Sequence, residues 1–538
     1  MMKSDIITMD YSLSLPTITL ISLTLFFLYN IWRIITKKPS IHQNESNIIK
    51  QPPQPYVALP LIGHLHLLGT KTPLHRTFAS LADKYGPVFQ IYFGSLPAIV
   101  ISNKEGIKEC FTKNDKVLAS RTPSSRGTHL AYNNAAFGFA PYGPYWAKQR
   151  KLAVLELLSS RRLESLRHVY ESEIDTLIKD LLIHLSNNNS SMVVMSEWFE
   201  RLTFNVITKI VAGKRYFSYL EDVDDLEAHK VVNLVKEFMQ LAGGFVLSDA
   251  IPLLRWIGVE GGVLKSMKRI GRDLDTLIGR WVEEHKMKGN MVNSSSEKQD
   301  FIDVMLSIVE DDPESGHSRD TIIKAHVMNL ILAGTETTST TMTWILATLM
   351  NNKHSLKLAQ EEINHHVGKD RKVEASDIKN LTYLQAIFKE TLRLYPPTPL
   401  LLPHGASSDC SINDYYVPKG ADVFLNVWKL HRDPSIWSEP EKFSPERFIN
   451  GDGEVNEGHH FEYIPFGLGR RACPGFTLAT QVILITVARL LQGFDFHLFM
   501  DEPVDMREGF GLTLLKLNPL QICLTPLVTT ELYQSHIY

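Results

Sequence analysis

The chain has 538 residues, of which 44% are hydrophobic and 21% charged. This composition supports a sizeable core and excludes wholesale disorder, and at about 150 residues per domain the length allows one large domain or several small ones. Lys and Arg total 56 against 59 for Asp and Glu. The chain therefore lacks the basic excess of a nucleic-acid binder, and we expect no nucleic-acid partner.

An uncharged segment near the N-terminus is predicted to span a membrane. Residues 11–32 contain no charged residue and no histidine, and about 20 such residues cross a bilayer. Hydroxyl side chains and Pro16 dilute the segment, so a cleaved signal peptide is the alternative. The flanking charges favour a retained anchor, because Arg33, Lys37 and Lys38 follow it and place the rest of the chain in the cytosol.

Long periodic segments dominate the rest of the chain. They predict helices over residues 145–158, 161–185 and 319–350, and alternating stretches predict strands over residues 88–93 and 98–101. We therefore expect a mostly α fold with a small β portion. Residues 241–263 are apolar and Gly-rich. Buried core is the first interpretation there, and a shallow membrane contact is the alternative.

One cysteine lies in an unusual setting. Residues 465–475 read PFGLGRRACPG, which places Cys473 among glycines and arginines before an apolar helix. Backbone N–H groups, the positive end of that helix and the two arginines would favour a thiolate, which is a nucleophile or a metal ligand. Covalent catalysis lacks a nearby histidine base, zinc lacks a second nearby cysteine, and a buried structural thiol remains the default alternative.

The loop resembles the signature Phe-x-x-Gly-x-Arg-x-Cys-x-Gly of the cytochrome P450 family, through Phe466, Gly469, Arg471, Cys473 and Gly475. The resemblance implies a haem-thiolate fold in which Cys473 ligates the iron of haem b. It also places Phe466, Arg471 and Gly475 in the cofactor site.

A second motif resembles the family's Glu-x-x-Arg pair. Glu390 and Arg393 are three residues apart and lie on one face of a predicted helix, and Arg447 follows in the segment FSPERF. Taken alone, such a pair is most often a solvated ion pair. The resemblance implies that the three residues build structure behind the haem, without a direct catalytic role.

Further haem contacts are implied by a Trp-x-x-x-Arg motif. Trp146 and Arg150 are one helical turn apart, and the resemblance places Arg150 at a haem propionate through a charge-assisted hydrogen bond. Arg471 and His404 are expected to do the same. For His404, an ordinary loop residue is the alternative.

The long predicted helix carries the sequence AGTETT at residues 333–338, and seven of the nine residues from 335 to 343 bear a hydroxyl. These hydroxyls could simply bond back to the preceding turn and bend the helix. The resemblance implies more: Ala333 and Gly334 open a groove for dioxygen, and Glu336 and Thr337 relay protons. This pattern favours a monooxygenase over a haem-thiolate isomerase or dehydratase, or over a haem-binding protein.

The electrons must come from another protein, since the chain has no Gly-x-Gly-x-x-Gly fingerprint. The resemblance implies an NADPH-cytochrome P450 reductase in the endoplasmic reticulum membrane. The basic residues Lys148, Arg150 and Lys151 are expected to form part of its docking face.

The layout implied by the resemblance has four parts. Residues 1–10 are lumenal, residues 11–32 form a single transmembrane helix, residues 33–58 form a basic and Pro-rich linker, and residues 59–538 form the cytosolic haem-thiolate domain.

Within the family, the chain resembles plant microsomal members. That resemblance is carried by the Pro-rich entry, by residues 61–65, LIGHL, and by residues 142–146, YGPYW. Residues 132–135, YNNA, and 150–152, RKL, are similar to the group that contains nicotine N-demethylases and alkaloid or flavone hydroxylases. We expect a small apolar cyclic substrate, an alkaloid first, with a flavonoid, coumarin or terpenoid as the alternative. Hydroxylation, N-demethylation and ring closure all stay open. The pocket residues implied by the resemblance are Phe137, Phe139, Leu330, Ala333, Leu400, Leu401 and Leu512.

Overall fold

The computed structural model describes residues 15–35, 50–56, 58–69, 72–187, 191–218, 226–244, 246–251, 254, 261–291, 299–449 and 461–533. The chain divides into two units, Met1–Lys50 and Gln51–Tyr538. The predicted lumenal residues 1–10 and most of the predicted linker lie outside the described residues.

The described part of the first unit is one helix, Leu15–Ile35. Its apolar side chains from Ile18 to Tyr29 are exposed. The hydroxyl of Thr24 donates to the carbonyl of Leu20 at 2.7 Å, so this polar group is satisfied within the helix. The helix covers residues 15–32 of the predicted 11–32 segment and continues three residues beyond it.

The second unit is mostly helical, with short strands, as the sequence predicts. Its α-helices are Leu74–Tyr85, Lys104–Phe111, Ser125–His129, Pro144–Ala153, Ser160–Asn187, Met195–Ala212, Leu226–Gly243, Leu247–Ala250, Gly262–Met291, Phe301–Ile308, Arg319–Asn351, Lys353–His366, Thr382–Leu394, Val427–Leu430 and Phe476–Gly493. Single 3-10 turns are Leu65–Leu67, Val117–Ala119, Ile378–Asn380, Pro445–Phe448, Gly469–Arg471, Phe499–Asp501 and Thr530–Tyr533.

The strands form three small sheets. The four-stranded sheet has the order Val88–Phe93, Leu96–Ile101, Asp422–Leu425, His404–Gly405. The three-stranded sheet has the order Met192–Val194, Gln521–Pro526, Phe494–Leu498, and the two-stranded sheet pairs Cys410–Ile412 with Tyr415–Val417. Strands from distant parts of the chain thus pair beside the helices.

The strand Leu96–Ile101 is buried on both faces. Ile99 and Ile101 pack in one core cluster, and Ala98 and Val100 pack in another. Both faces are covered, so the strand reads as a continuous apolar run instead of an alternating one. The predicted strand over residues 98–101 therefore begins two residues earlier than the pattern indicated.

The long helix, Arg319–Asn351, spans 33 residues, a length of about 50 Å. It begins where the Ser318 side chain accepts a hydrogen bond from the Thr321 N–H. Its second half is buried on all sides, since every residue from Thr338 to Met350 is buried. The prediction over residues 319–350 is confirmed to within one residue.

The early helix, Pro144–Ala153, is shorter than predicted. The α-helix ends at Ala153, and Val154–Leu158 forms a π-helical turn before the next helix, Ser160–Asn187. The prediction of one helix over residues 145–158 merged these two segments because both carry the same apolar periodicity.

One described helix, Phe476–Gly493, is apolar and long enough to cross a membrane, and 72% of it is buried inside the body. Arg489 lies fully buried in this helix and donates to Asp175 at 2.8 Å and to the Val373 carbonyl at 2.9 Å. A buried, paired arginine marks it as a core helix.

The described parts of residues 241–263 include buried side chains. Ala242, Val246 and Ala250 belong to the core, as the first interpretation predicts. Residues 245, 252–253 and 255–260 lie outside the described part of the chain.

Candidate active site

The cysteine loop, residues 465–475, is held by two internal backbone hydrogen bonds, of which one runs from the Ala472 N–H to the Gly469 carbonyl at 3.1 Å. The N–H of Cys473 donates to the Phe466 carbonyl at 2.9 Å. Gly467 and Gly469 adopt φ values of 67° and 65°, which favour glycine. At Gly469 a Cβ atom would also overlap Asp115. The glycines therefore let the loop turn tightly before the helix Phe476–Gly493.

The thiol of Cys473 faces a cavity. Burial raises its pKa, whereas the backbone N–H groups of Gly475 and Phe476 and the charge of Arg150 act in the opposite direction. The loop's preference for a thiolate stays a prediction, because the burial and these donors act in opposite directions on the thiol. A bound metal ion deprotonates a coordinating thiol outright, so ligation would supply what the loop lacks.

The cavity beside Cys473 has a volume of about 330 Å³ and a mostly apolar wall. Its residues from the early helix and the loop before it are Phe137, Gly138, Phe139, Trp146 and Arg150. The long helix contributes Asn329, Leu330, Leu332, Ala333, Gly334, Thr337 and Thr338. The cysteine loop forms the opposite wall.

Three arginines line the cavity, and none of them forms an ion pair with a carboxylate in the described part of the chain, although Asp422 lies near enough to Arg121 to act on its charge. Arg121, Arg150 and Arg471 all lie in the wall, and the described lining residues include no Asp or Glu. Burial, and then the charges of Arg121 and Arg150, lower the pKa of Arg471. Buried like charges need an anion to compensate them. The cavity therefore fits a large planar group that carries carboxylates and offers a metal to Cys473, as haem b does.

Trp146 supplies an independent sign of an absent partner. Its indole N–H is buried and makes no hydrogen bond within the described part of the chain. The guanidinium of Arg471 lies 4.6 Å from the centre of the Trp146 ring, and that of Arg150 lies 5.7 Å from it. An orphaned donor next to two cations suits a carboxylate.

Arg471 is already held by the protein. Its guanidinium donates to the carbonyls of Ala119, Phe137 and Ala140 at 2.6, 2.9 and 2.5 Å. It therefore joins the loop before the early helix to the cysteine loop. Arg150 likewise donates to the Ala472 carbonyl at 2.5 Å.

His404 lines the cavity as a neutral ring. Burial lowers its pKa to about 3, and its Nδ1 is 2.9 Å from the Leu118 carbonyl. Since a carbonyl can only accept, Nδ1 carries the proton and Nε2 is left as an acceptor. His404 can therefore donate to a carboxylate only when both ring nitrogens are protonated. A carboxylate beside the ring would stabilise that charged form.

The long helix forms the wall around Ala333. The hydroxyl of Thr337 donates to the Ala333 carbonyl at 2.6 Å. The hydroxyls of Thr335 and Thr341 likewise donate to the carbonyls four residues before them. The hydrogen bonds of the simpler account are thus present in the hydroxyl-rich segment, whereas the bend that it also expected stays a prediction. Gly334 has a packing role as well, because a Cβ there would lie 2.6 Å from the Ile207 side chain.

Glu336 lies apart from its predicted neighbour. Thr337 lines the cavity beside Cys473, whereas Glu336 lines a second cavity of about 220 Å³, together with Glu200 and Lys236. Adjacent residues on a helix point about 100° apart, which explains the separation. Thr203 lines both cavities. The expected pair therefore spans two spaces instead of sharing one.

The Glu390 cluster is buried outside the cavity wall. Arg393 donates to both carboxylate oxygens of Glu390, at 2.7 and 2.9 Å, and neither side chain is exposed. Arg447 donates to the same carboxylate at 3.0 Å. Arg393 also donates to the carbonyl of His431 at 2.7 Å. This network joins three chain segments and does not line the cavity.

Of the predicted pocket residues, Leu400 is misplaced. It packs in the core beside the four-stranded sheet, and Leu402 lines the cavity instead. Leu401 adopts a φ of 52°, which turns the chain between them. The other six predicted positions line the cavity as expected.

The predicted docking residues divide into two sets. Lys148 and Lys151 lie at the surface, and Lys148 forms an ion pair with Asp312 at 3.3 Å. Arg150 turns inward and lines the cavity, so it is not part of that face. Successive residues on a helix point about 100° apart, so side chains that are neighbours in the sequence face different directions.

Three of the polar residues that sequence reasoning missed are Arg121, Asn329 and Thr513. Arg121 and Asn329 line the cavity, and Thr513 bonds Glu336. Arg121 is an isolated arginine followed by Thr-Pro. None of the three lies in a motif that the resemblance quoted.

A helical body with an apolar cavity between a cysteine loop and a long helix, and with a cationic rim, defines a haem-thiolate protein. Residues 52–524 match the family model described as Cytochrome P450. The chain therefore belongs to the cytochrome P450 family.

Similar proteins indicate which group within the family this chain resembles. A cytochrome P450 of Trigonella foenum-graecum is 62% identical over 529 residues, covering 98% of this chain and all of the relative. A nicotine N-demethylase of Nicotiana tomentosiformis is 46% identical, covering 94% of this chain and 97% of the relative. A xanthotoxin 5-hydroxylase of Arabidopsis thaliana is 46% identical, covering 89% and 94%. The expected likeness to the group with nicotine N-demethylases is confirmed.

A solved structure agrees with the fold. A zebra fish cytochrome P450 with progesterone superposes with a TM-score of 0.71 at 27% identity, over 85% of this chain and all of that one. The protein is a monooxygenase that uses haem and takes NADPH-derived electrons from a reductase.

Proposed function

We propose that this monooxygenase oxidises a neutral, ring-bearing plant specialised metabolite. The observation that carries the proposal is the cavity next to Cys473, which combines an apolar wall with a rim of three arginines and no described carboxylate. The arginines suit the cofactor, and the apolar wall suits an uncharged substrate.

The roles of the individual residues follow from this division of the cavity into a cationic rim for the cofactor and an apolar wall for the substrate. Cys473 ligates the iron, and Phe466 and Gly475 shape the loop that holds it. Trp146, Arg150 and Arg471 lie where they can bind the propionates. His404 joins them once protonated. We add Arg121, which shares the same wall.

The long helix contributes the residues assigned to dioxygen binding and proton transfer. The haem iron, when bound, supplies the reduction and cleavage of dioxygen. Ala333 keeps the wall small at this point. The Thr337 hydroxyl donates to the Ala333 carbonyl, so it can accept a hydrogen bond from the cavity and can donate into the cavity only when that bond is released. Glu336 exchanges protons near neutral pH, because burial raises its pKa to about 7.

An alkaloid is the first substrate class. The 46% identical nicotine N-demethylase supports an amine. The absence of a carboxylate among the described lining residues implies that the amine binds as the free base, since a buried ammonium would lack a counter-charge.

A coumarin or a related flavonoid is the second candidate. A specific observation favours it: a neutral lactone needs no counter-charge in this cavity, and a xanthotoxin 5-hydroxylase is an equally similar relative. Titrations with nicotine and xanthotoxin between pH 7 and 9 separate the two. Binding of nicotine that tightens as the amine loses its proton supports the alkaloid; xanthotoxin binding alone supports the coumarin.

We also propose the four-part layout, with residues 11–32 as a single anchor in the endoplasmic reticulum membrane and residues 59–538 in the cytosol. The exposed apolar side chains from Ile18 to Tyr29 support the anchor. Lys148 and Lys151 are assigned to the reductase face, because both are exposed on the early helix.

The experiment that tests the site is a reduced, carbon monoxide difference spectrum of membranes that contain the full chain. We expect a red-shifted Soret band that Cys473→Ala abolishes. Cys523→Ala is the matched control, since Cys523 lies in the strand Gln521–Pro526 and outside the cavity wall. A band that survives in Cys473→Ala would refute the ligand assignment.

A further inference from the structure

Three metal-binding side chains meet where two helices of the body come together. His285 lies near the end of the helix Gly262–Met291, and Asp300 and Asp303 lie at the start of the helix Phe301–Ile308. Each side chain offers one ligand atom, and the three atoms lie within 4.8 Å of one another. None of these residues lines the cavity beside Cys473 or the cavity at Glu336. The cluster is therefore separate from the haem site.

The ring of His285 is held as the ring of a metal-ligating histidine usually is. Its Nδ1 lies 2.6 Å from the Trp281 carbonyl, and since a carbonyl can only accept, Nδ1 carries the proton. The lone pair of Nε2 then lies 2.7 Å from Oδ2 of Asp300. A lone pair and a carboxylate oxygen repel each other at this distance. The contact therefore requires a second proton on the ring or a metal ion bound to both atoms.

The charge of the cluster favours the metal ion. A second proton on His285 balances one carboxylate, but Asp303 is a second carboxylate beside Asp300. The charge of Lys288 also acts on Asp303, although Lys288 is exposed and forms no ion pair with Asp303 in the described part of the chain. A divalent cation on a neutral imidazole and two carboxylates leaves no net charge, which suits a largely buried cluster.

The backbone around Asp300 leaves one of its oxygens available. Oδ1 accepts a hydrogen bond from the Asp303 N–H at 3.1 Å and caps the helix, so Oδ2 is the oxygen at His285. Gly213 follows the helix Met195–Ala212, and a Cβ atom there would lie 3.1 Å from Oδ2, closer than an ordinary contact. The glycine thus keeps space beside this oxygen. The Asp300 side chain is 14% accessible, which gives an ion a route from solvent.

We propose that His285, Asp300 and Asp303 form a structural binding site for a divalent transition-metal ion, zinc first, that joins the helix Gly262–Met291 to the helix Phe301–Ile308. One imidazole nitrogen with carboxylate oxygens is a donor set that zinc accepts. Ligand atoms of a tetrahedral zinc ion are about 3.4 Å apart. The contact between His285 and Asp300 therefore opens by less than about 1 Å when the ion binds, and water completes the coordination.

The test measures zinc binding to the haem-loaded full chain in competition with a fluorescent zinc indicator. Asp303→Asn is the decisive variant, since it removes one ligand and leaves the His285–Asp300 contact and the helix cap in place. We expect the dissociation constant of one zinc site per chain to rise at least about tenfold. Asp320→Asn is the matched control, because Asp320 pairs with Lys286 at 2.7 Å and is outside the cluster. Its zinc affinity should equal that of wild type.

The thermal midpoint gives a second readout. Excess zinc should raise the midpoint of wild type by a few degrees and leave that of Asp303→Asn unchanged, because only the folded site binds the ion. Equal zinc affinities in wild type and Asp303→Asn would mean an adventitious ion only and would overturn the proposal. So would a wild type that takes no zinc from the indicator. The carbon monoxide band shows in each variant that the protein is folded around its haem.

Discussion

The hydroxyl of Thr513 donates to the Glu336 carboxylate at 2.7 Å. It joins the segment before the strand Gln521–Pro526 to the long helix. Burial raises the pKa of Glu336 to about 7, and the Thr513 hydrogen bond acts in the opposite direction. The other carboxylate oxygen is buried without a partner in the described chain. Thr513 therefore keeps this acid close to the pH at which it can both take and give a proton.

Replacing Thr513 by valine should raise the pKa of Glu336 further, because the bond that favours the ionised form is lost. We expect the midpoint of the pH profile for product formed per NADPH to move upward by about one pH unit. Thr513→Ser, which keeps the hydroxyl, should behave as wild type. Hydrogen peroxide release, followed over the same pH range, reports lost coupling. Identical midpoints in Thr513→Val and wild type would contradict the role of Thr513.

Glu336 also links stability to pH. Its pKa in the folded protein is about 7 against an ordinary value of 4.5, so the folded state holds the proton more tightly than the unfolded state. The free energy of unfolding therefore falls as the pH rises through this window, by on the order of 2–3 kcal/mol.

Glu336→Gln removes that dependence, since an amide does not titrate. Between pH 5 and pH 7.5 we expect the thermal midpoint of wild type to fall by a few degrees relative to that of Glu336→Gln. Parallel midpoints in the two proteins would show that the carboxyl ionises normally.

The Glu390 cluster should be intolerant of change. Glu390→Gln leaves Arg393 buried without its full counter-charge, and breaking a buried pair in this way costs about 3–5 kcal/mol. We expect a large loss of haem-loaded protein and a lower thermal midpoint. Arg447→Gln is the comparison, because Arg447 is partly exposed, with 15% of its side chain accessible, and should cost about 1 kcal/mol. Equal effects of the two changes would argue against a buried Glu390–Arg393 core.

The contrast between Glu390 and Glu336 explains how far the sequence could predict the site. Glu390 and Arg393 meet across one helical turn, so their spacing predicts their contact. Thr513 lies 177 residues from Glu336, and only the folded chain brings them together. The cysteine loop could be found because its glycines, arginine and cysteine are contiguous. Leu400 was misassigned because the positive φ at Leu401 redirects the chain, and no pattern predicts that conformation for a leucine.

Arg121 was missed because only the folded chain brings it to the cavity wall. Its contacts lead to a separate prediction. It donates to the carbonyls of Gly138, Leu402 and Pro403 and lines the cavity with Arg471. We expect Arg121→Gln to lose haem at least about tenfold faster than wild type, since a charge-assisted contact is removed. Arg121→Lys should retain part of the effect, because the charge remains.

The measurement is the rate of haem transfer to excess apomyoglobin, followed at the Soret band. Arg470→Gln is the control, because Arg470 is exposed, pairs with Asp115 and does not line the cavity. A faster loss from Arg470→Gln than from Arg121→Gln would place the haem anchor elsewhere.

Two surface lysines of the early helix predict how the reductase docks. Lys148 and Lys151 are exposed, and the Lys148 side chain is 61% accessible despite its ion pair with Asp312. Charges at the edge of an interface act mainly on the association rate and its salt dependence. The double change Lys148→Glu and Lys151→Glu should therefore raise the KM for reductase about tenfold at low salt, with a smaller effect at high salt.

Lys357→Glu is the matched control, since Lys357 is a highly exposed lysine of the helix Lys353–His366. The carbon monoxide band of the double variant should equal that of wild type, because neither lysine lines the cavity. An unchanged KM for reductase in the double variant would reject this face and move the search to the other exposed cations of the body.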